Sequence, residues 1–296
     1  MFYNKSCASG LTPEDLEFID KKYLHYQDFK YPYFKFKKTQ YPIPLNIITS
    51  FKRAKYLKDK LVFIKKQKNL DFAFIKKLEI LNNEEVLVDD KKISYKYLVG
   101  ADGSTSTVRS FLKISNKNPF FALCYDVKNP DYHNFVCEYK EDFLGYFWIF
   151  PQNNFVNIGA GGLLKQISPQ ELKKQLEKYI DKMGLNLNNS RLTGALINYD
   201  YQGYRFKNVF LAGDAAGLAS GLTGKGIYPA HLSAKQIAAD IQGKKKNHLK
   251  KWIDKKTVQE KYLERINTKL KRKIYFNLGI KLIKNNKVKE KLAKIL

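Results

Sequence analysis

Two stretches of the chain place an acid directly after an apolar, strand-like run and surround it with small residues. The first is YLVGADGSTSTVR, beginning at Tyr97, and the second is VFLAGDAAGLASGLTGKGI, beginning at Val209. Small residues let a ligand approach the backbone, and a helix that starts after the acid offers unpaired N–H groups to an anion. The carboxylate can accept hydrogen bonds from sugar hydroxyls. One such stretch could be a turn with an aspartate cap, whereas two of them favour a nucleotide-type ligand.

The two stretches resemble the second and third dinucleotide motifs of flavoproteins with the hydroxybenzoate-hydroxylase fold. The resemblance implies that Asp214 holds the ribityl or ribose hydroxyls of FAD and that Asp102 lies near its pyrophosphate. It also implies that the backbone of residues 224–226 lies against the isoalloxazine ring. Arg53 matches an arginine that contacts the cofactor, although it could be an ordinary helix-surface charge. The further cofactor-binding residues implied are Gly103, Gly213, Ala215, Gly224, Lys225, Gly226 and Ile227.

A third stretch, GYFWIFP at Gly145 to Pro151, is followed by the glycine pair of GAG at 159–161. It is similar to the Tyr-x-Trp-x-Phe-Pro motif of the geranylgeranyl reductase family. Alternate aromatic residues on one strand face can wall an apolar slot, and glycines beside them leave room for a long chain. A cross-strand aromatic cluster in a sheet core is the alternative. The substrate-binding residues implied are Tyr146, Trp148, Phe150, Pro151, Gly159 and Gly161.

The segment KSCASGLT, which contains Cys7, resembles the Cys-Gly-Gly-Gly-Leu segment of the same family, where the cysteine lies close to the flavin. Cys7 is therefore the candidate catalytic residue. Ala8 and Ser9 stand where the family has two glycines. Without the resemblance, a cysteine at this position would be interpreted as a small buried residue.

The sequence contains no GxGxxG turn. A dinucleotide-binding fold opens with a strand, this turn and a helix, which together hold the pyrophosphate. We therefore expect an α/β (α+β) FAD-binding fold without its first βαβ unit. A start site placed too far downstream, a gene broken upstream and a protein that no longer binds FAD are the open explanations.

The pattern of elements predicts three regions. Residues 1–115 and 200–243 form the FAD-binding domain, residues 116–199 form an interleaved antiparallel-sheet substrate domain, and residues 244–296 form basic C-terminal helices. Within them we predict a short helix after Thr12, helices over 50–68 and 226–242, and a helix that begins at the Ser168 capping box and stops at Gly184. Residues 31–45 are predicted to form edge strands, and 72–100 a small meander.

The net charge is +26, and lysine supplies nearly all of the positive charge. The lysines are spread along the chain, and base recognition relies on bidentate arginine, so specific nucleic-acid binding is not expected. The stretch from Lys269 to Leu296 is basic with apolar periodicity. It could be an interfacial helix on a membrane or a helix that packs on the body with a solvated lysine face.

Three cysteines without CxxC spacing predict neither a disulfide framework nor a metal site, and they favour a reducing cytoplasm. Peripheral contact with the inner face of the membrane is a further expectation. No apolar run approaches the ~20 residues needed to cross a bilayer. The start of the chain also lacks the apolar core of a signal peptide.

These resemblances imply an FAD-dependent reductase that saturates double bonds of an isoprenoid substrate, either a small molecule or a lipid, with an unidentified electron donor. Two alternatives stay open. One is a flavin-dependent monooxygenase or halogenase of the same fold, and the other is a non-catalytic fragment that binds lipid surfaces through its basic charge.

Overall fold

The computed structural model describes residues 7–25, 30–36, 39–42, 49–129, 131–188 and 190–283. The strands are β1 (Gly10–Leu11), β2 (Lys30–Phe36), β3 (Thr39–Pro42), β4 (Thr49–Ser50), β5 (Leu78–Ile80), β6 (Glu85–Val88), β7 (Lys91–Ser94), β8 (Leu98–Gly100), β9 (Phe120–Lys128), β10 (Asn134–Tyr139), β11 (Gly145–Gln152), β12 (Phe155–Leu163), β13 (Leu192–Ile197), β14 (Arg205–Phe206) and β15 (Val209–Leu211). The α-helices are α1 (Arg53–Lys65), α2 (Thr107–Phe111), α3 (Pro169–Lys182), α4 (Ile227–Ile241), α5 (Lys250–Arg265) and α6 (Lys269–Ile283). Short 3₁₀ helices span Pro13–Glu17, Lys21–Tyr23 and Gly213–Ala216.

The largest sheet has seven strands in the order β13-β9-β12-β11-β10-β2-β3. All neighbours are antiparallel except β10 and β2, which are parallel. One face packs on α3, where Leu123 and Ile158 of the sheet join Leu172 of the helix in one buried cluster. The opposite face carries a second cluster that includes Trp148 and Phe150. The predicted mixed α/β class with an antiparallel sheet is confirmed.

Helix α3 begins and ends where its sequence signals predicted. The Ser168 Oγ accepts a hydrogen bond from the Glu171 backbone N–H at 3.2 Å, and Pro169 occupies the first helical position. Gly184 follows the last turn with a φ of +65°, the left-handed conformation that favours glycine. These local signals decide the helix because they satisfy backbone groups that the helix itself leaves unpaired.

The two strands that end in acids lie side by side. A three-stranded sheet has the order β14-β15-β8, and β15 pairs in parallel with β8, with Leu211 opposite Gly100. The Ala212 N–H continues the pairing by donating to the Gly100 carbonyl at 2.8 Å. Because parallel strands end at the same edge of a sheet, the turns that carry Asp102 and Asp214 are neighbours.

Two predicted elements differ in detail. The helix after Thr12 is a 3₁₀ helix of five residues, and the Asp15 carboxylate caps its start by accepting hydrogen bonds from the N–H and hydroxyl of Thr12. The hairpin of β2 and β3 was predicted within the FAD-binding region, yet it hydrogen-bonds to β10 of the seven-stranded sheet. Its partner lies about a hundred residues away along the chain, which local patterns do not reveal.

The C-terminal helices pack on the body through buried basic side chains. The Lys256 ammonium on α5 donates to the carbonyls of Tyr199 and Ala219 and pairs with Glu260 at 2.7 Å. Arg272 on α6 is 2% exposed. Residues 284–296, which were predicted to continue the helices, lie outside the described residues. Within the described residues, no helix is long and apolar enough to span a membrane.

Candidate functional site

Asp214 sits at the end of β15 in a turn from which bulky side chains are absent. One carboxylate oxygen lies 3.1 Å from the Ser104 hydroxyl, which also reaches the Leu196 carbonyl at 2.6 Å. The other lies 3.3 Å from where a Cβ on Gly226 would be. Just before Asp214, the Gly213 N–H donates to the Ser233 hydroxyl at 2.9 Å, and this bond fixes the turn. The partly exposed carboxylate therefore stands beside a bare backbone, an arrangement that suits a sugar hydroxyl.

Asp102, predicted near a pyrophosphate, caps a helix. Its Oδ2 accepts from the Thr107 N–H at 2.7 Å and from the Val108 N–H at 3.4 Å, at the start of α2. Next to it, Gly103 has a φ of +82° and no atom within 4 Å of where a Cβ would be. The space over Gly103 is open to a ligand, whereas Asp102 already has backbone partners.

Arg109 links the turns that carry Asp102 and Asp214, which we call the acid turns. Its guanidinium donates to the carbonyls of Ala215 at 3.1 Å, Asp200 at 2.8 Å and Ser115 at 3.2 Å. The residue is 3% exposed, and burial lowers the pKa of its guanidinium while the Asp200 carboxylate opposes that shift. Arg109 lies within the motif YLVGADGSTSTVR, and its hydrogen bonds give it the role of fixing both turns.

The glycine-rich loop, residues 220–226, follows the Asp214 turn and leads into α4. Its ends are tied by hydrogen bonds from the Ser220 N–H to the Lys225 carbonyl and from the Gly224 N–H to the Ser220 carbonyl, both 2.9 Å. Gly224 has a φ of +68°. The Lys225 ammonium points away from the loop to the Glu14 carboxylate and the Thr12 hydroxyl. The backbone of the loop, rather than the lysine charge, is thus presented to the Asp214 side.

The aromatic strand β11 contacts this loop. The Tyr146 hydroxyl donates to the Thr223 carbonyl at 2.7 Å, and a Cβ on Gly224 would lie 2.8 Å from the same hydroxyl. Tyr139 on β10 makes a similar contact, because its hydroxyl donates to the Leu222 carbonyl at 3.1 Å. The predicted cofactor loop and the predicted substrate strand are therefore adjacent in the structure.

Trp148, the next aromatic residue on the same face of β11 as Tyr146, is oriented by a polar network. The Trp148 indole N–H donates to the Asn157 amide oxygen at 2.7 Å, and the Asn157 amide nitrogen donates to the Asp126 carboxylate at 2.8 Å. The ring lies over Gly159, where a Cβ would come within 2.2 Å of it. Gly159 was expected to leave room for a substrate chain; that space is filled by the indole. A Cβ on Gly161 would have its nearest neighbours at 3.7 Å.

Phe150 and Pro151 complete the strand. Phe150 is 7% exposed and packs edge-on against Phe135, with ring centroids 5.0 Å apart. The Pro151 carbonyl accepts from the Ser50 hydroxyl at 2.7 Å, which ties β11 to β4. Both residues are buried, and Phe150 belongs to the same cluster as Trp148.

A cavity of about 420 Å³ lies beside the aromatic strand. Cys7 and Arg53 both line it, so the structure brings these two predicted residues together, while Asn157 connects its wall to Trp148. Cys7 is partly buried, and its Sγ lies 3.3 Å from the Ser9 N–H, which donates to it. Lys5 and Ser6 of the same motif lie outside the described residues. The cavity is lined by Cys7, Ser9, His25, Phe51, Lys52, Arg53, Ala54, Lys55, Cys124, Asp126, Gln152, Asn157 and Thr193.

The aromatic side of this region is electrically neutral. Burial raises the pKa of the Cys137 thiol to about 12 and holds the pKa of the Tyr146 hydroxyl well above its ordinary value. At the cavity, burial lowers the pKa of the His25 imidazole, and a hydrogen bond to the Asn153 side chain opposes that shift. A neutral aromatic wall next to a polar cavity can hold an apolar chain that carries a polar end.

Sequence reasoning missed three supporting residues. Asn157 is a lone polar residue in the apolar strand FVNIGAGGL, a signal that could have identified it. Ser104 lies in the quoted motif, but its contact with Asp214 depends on the parallel pairing of β8 and β15. Ser233 lies on α4 with no local signal for its bond to Gly213.

The residues present fit the sugar and ring portions of a flavin dinucleotide. The bare backbone at Gly226 beside the Asp214 carboxylate, and the open space at Gly103, form a cradle that side chains would fill. The pyrophosphate portion has no glycine-rich turn of GxGxxG spacing in this sequence. The roles of the individual cofactor residues stay predictions.

The chain is similar to several known proteins. Residues 120–197 match the family model of the geranylgeranyl reductase catalytic domain. A Methanosarcina barkeri protein of uncharacterised function is 26% identical over 92% of this chain and 73% of its own length. The digeranylgeranylglycerophospholipid reductase of Methanococcus vannielii is 28% identical over 62% of this chain and 48% of its own. The chain spans about half the length of the curated reductases it matches.

Solved structures share the fold. A geranylgeranyl bacteriochlorophyll reductase-like protein from Thermoplasma acidophilum superposes with a TM-score of 0.63 at 16% identity, covering 99% of this chain and 90% of that one. The flavin-dependent brominase Bmp2 gives 0.66 at 15% identity, covering 100% and 84%. The fold is thus one that flavin-dependent enzymes share, and within it the aromatic sheet, residues 120–197, is similar to the geranylgeranyl reductase catalytic domain.

Proposed function

We propose that this protein is an FAD-dependent reductase that saturates double bonds of an isoprenoid chain. The observation that carries the proposal is the contact between the glycine-rich loop and the aromatic strand, made by Tyr146 and Thr223. It places the predicted flavin-binding backbone against the sheet region that matches the reductase catalytic domain. An apolar substrate needs a wall of this kind next to the cofactor.

Each residue of the site has its own proposed role. Asp214 accepts hydrogen bonds from sugar hydroxyls, and the bare backbone at Gly226 lets the cofactor lie close. Reduced flavin, when bound, supplies a hydride to an alkene carbon. The neutral wall around Trp148 orients the chain and excludes water. Cys7 lies in the cavity wall, where its thiol can deliver a proton to the neighbouring carbon.

Flavin binding is the first test. Purified protein mixed with FAD should retain yellow flavin absorbance after gel filtration, and Asp214→Asn should weaken retention because the amide offers the sugar hydroxyls one acceptor oxygen instead of two. Asp20→Asn, a change at an exposed residue outside the site, is the matched control. Failure of the wild-type chain to bind flavin under all conditions contradicts the proposal.

The product identifies the reaction. With chemically reduced flavin, geranylgeranyl diphosphate should gain two hydrogens for each saturated bond, as read by mass spectrometry. Cys7→Ser should slow turnover while leaving flavin retention unchanged. Gain of an oxygen or a halogen atom would identify the monooxygenase or halogenase alternative, and intact flavin binding without any product would favour a non-catalytic role.

A further inference from the structure

Helix α6 is fixed to the body of the protein by one face. The buried Arg272 donates to the carbonyls of Glu141 at 2.9 Å and Asp142 at 3.2 Å, in the turn between β10 and β11, and to that of Asn267 at 2.8 Å. Lys269 adds an ion pair to the Asp142 carboxylate at 2.6 Å. The rotation of the helix about its own axis is therefore set by these contacts.

The opposite face of α6 is apolar and exposed. Leu270, Ile274 and Leu278 are 68%, 48% and 51% exposed. A spacing of four residues places them in one row along the helix, which we call the α6 stripe. At 3.6 residues per turn, Arg272 points away from this row. The sequence left open a solvated lysine face on this helix; the structure turns an apolar row outward instead.

Lysines border the stripe. Lys271 and Lys273 are exposed, and their positions on the helical wheel fall on either side of the row. The whole chain carries a net charge of +26. An apolar row with a basic rim is the pattern of a helix that lies in the interface of an anionic bilayer, with apolar side chains among the acyl chains and lysines at the headgroups.

We propose that the α6 stripe docks this protein on an anionic lipid surface. The positive rim and the net charge favour lipid phosphates over a second copy of this equally basic chain, which would be repelled. The helix would lie in the plane of the surface, since no described helix is long and apolar enough to cross a bilayer. The proposal does not depend on the reductase activity, because docking needs neither flavin nor substrate.

Vesicle co-sedimentation of the full chain tests the surface. Binding is expected to vesicles of equal parts phosphatidylglycerol and phosphatidylcholine, and to weaken on phosphatidylcholine alone and at high salt. The triple variant Leu270→Gln, Ile274→Gln, Leu278→Gln should lower the partition coefficient by about tenfold or more, since it removes three inserted apolar side chains. Lys271→Glu with Lys273→Glu should have a similar effect.

Matched variants separate the stripe from general effects. Val258→Gln on α5 changes a residue of the same 51% exposure as Leu278, and should leave binding unchanged where Leu278→Gln weakens it. Lys251→Glu with Lys261→Glu changes two exposed lysines on α5. This double variant should lower the partition coefficient at least several-fold less than Lys271→Glu with Lys273→Glu on α6. The single Leu278→Gln variant decides the question if the triple variant does not fold.

Several outcomes would overturn the proposal. The proposal is wrong if the wild-type protein does not bind anionic vesicles at low salt. It is also wrong if the stripe variants bind as tightly as the wild type. If the stripe variants instead convert a dimer to a monomer in light scattering, the row is an interface between copies of the chain and lipid docking is wrong.

Discussion

Tyr146 on β11 donates its hydroxyl hydrogen to the carbonyl oxygen of Thr223 at 2.7 Å, joining the aromatic strand to the glycine-rich loop. The hydroxyl is buried, and burial holds its pKa well above the ordinary value, so the group stays a neutral donor through the physiological pH range. This bond couples the loop to the sheet through a donor that does not titrate, alongside the bond from Tyr139 to the Leu222 carbonyl.

Tyr146→Phe should loosen the loop. The variant leaves the Thr223 carbonyl without its donor, which costs about 1–3 kcal/mol of unfolding free energy. Amide hydrogen exchange should accelerate at Gly224 and Ser220. Tyr204→Phe, which removes a hydroxyl bonded to Asp240 at 2.9 Å, is the control and should leave loop exchange unchanged. Equal protection of the loop in wild type and Tyr146→Phe would show that this bond does not hold it.

Gly159 and Gly161, two of the three glycines of β12, should respond differently to alanine. Gly159→Ala would place a Cβ 2.2 Å from the Trp148 ring and 2.6 Å from the Leu123 carbonyl, so the ring or the strand must move, at a cost of about 1–3 kcal/mol or more. Gly161→Ala meets its nearest atoms at 3.7 Å and should be nearly neutral. Denaturant unfolding checks both, and a larger loss for Gly161→Ala would contradict this packing.

Arg109→Met should disrupt both acid turns. It removes the donor for the Ala215 and Asp200 carbonyls from a site with 4% side-chain exposure, and we expect a loss of about 3–5 kcal/mol in unfolding free energy. Arg205→Met, at a 56% exposed side chain with a long ion pair to Asp240, should cost about 1 kcal/mol or less. Chemical denaturation compares them, and similar losses would assign Arg109 no special role.

Asp15 should make stability fall as pH rises in the acidic range. Burial raises the pKa of its carboxyl above 3.8, although hydrogen bonds from Thr12 and the Lys225 charge oppose the shift. From about pH 3.8 up to the raised value, the native state binds more protons than the unfolded state, so unfolding free energy decreases with pH. Above that window the contribution is constant.

Comparison with Asp15→Asn isolates this effect. The stability of wild type minus that of the variant should decrease as pH rises through the window and then level off, in denaturant titrations at a series of pH values. The plateau at neutral pH is the internal control. A difference that grows with pH would mean that the folded pKa is lowered instead.

Local signals predicted the elements that depend on neighbouring residues. The Ser168 cap and Gly184 bound α3 as expected, and the apolar runs before Asp102 and Asp214 are strands β8 and β15. Those signals work because capping and strand alternation satisfy backbone groups within a few residues. The two turns are neighbours because β8 and β15 pair in parallel, which the structure shows.

The sequence by itself determined the strand-and-acid turns, the aromatic strand and its similarity to the reductase catalytic domain. Only the tertiary structure decided that the hairpin of β2 and β3 joins β10, that the Trp148 indole fills the space over Gly159, and that α6 turns Leu270 and Leu278 outward. The physical reason is the same in each case. These features depend on contacts between residues far apart in the chain, and a periodic pattern specifies a face without specifying what covers it.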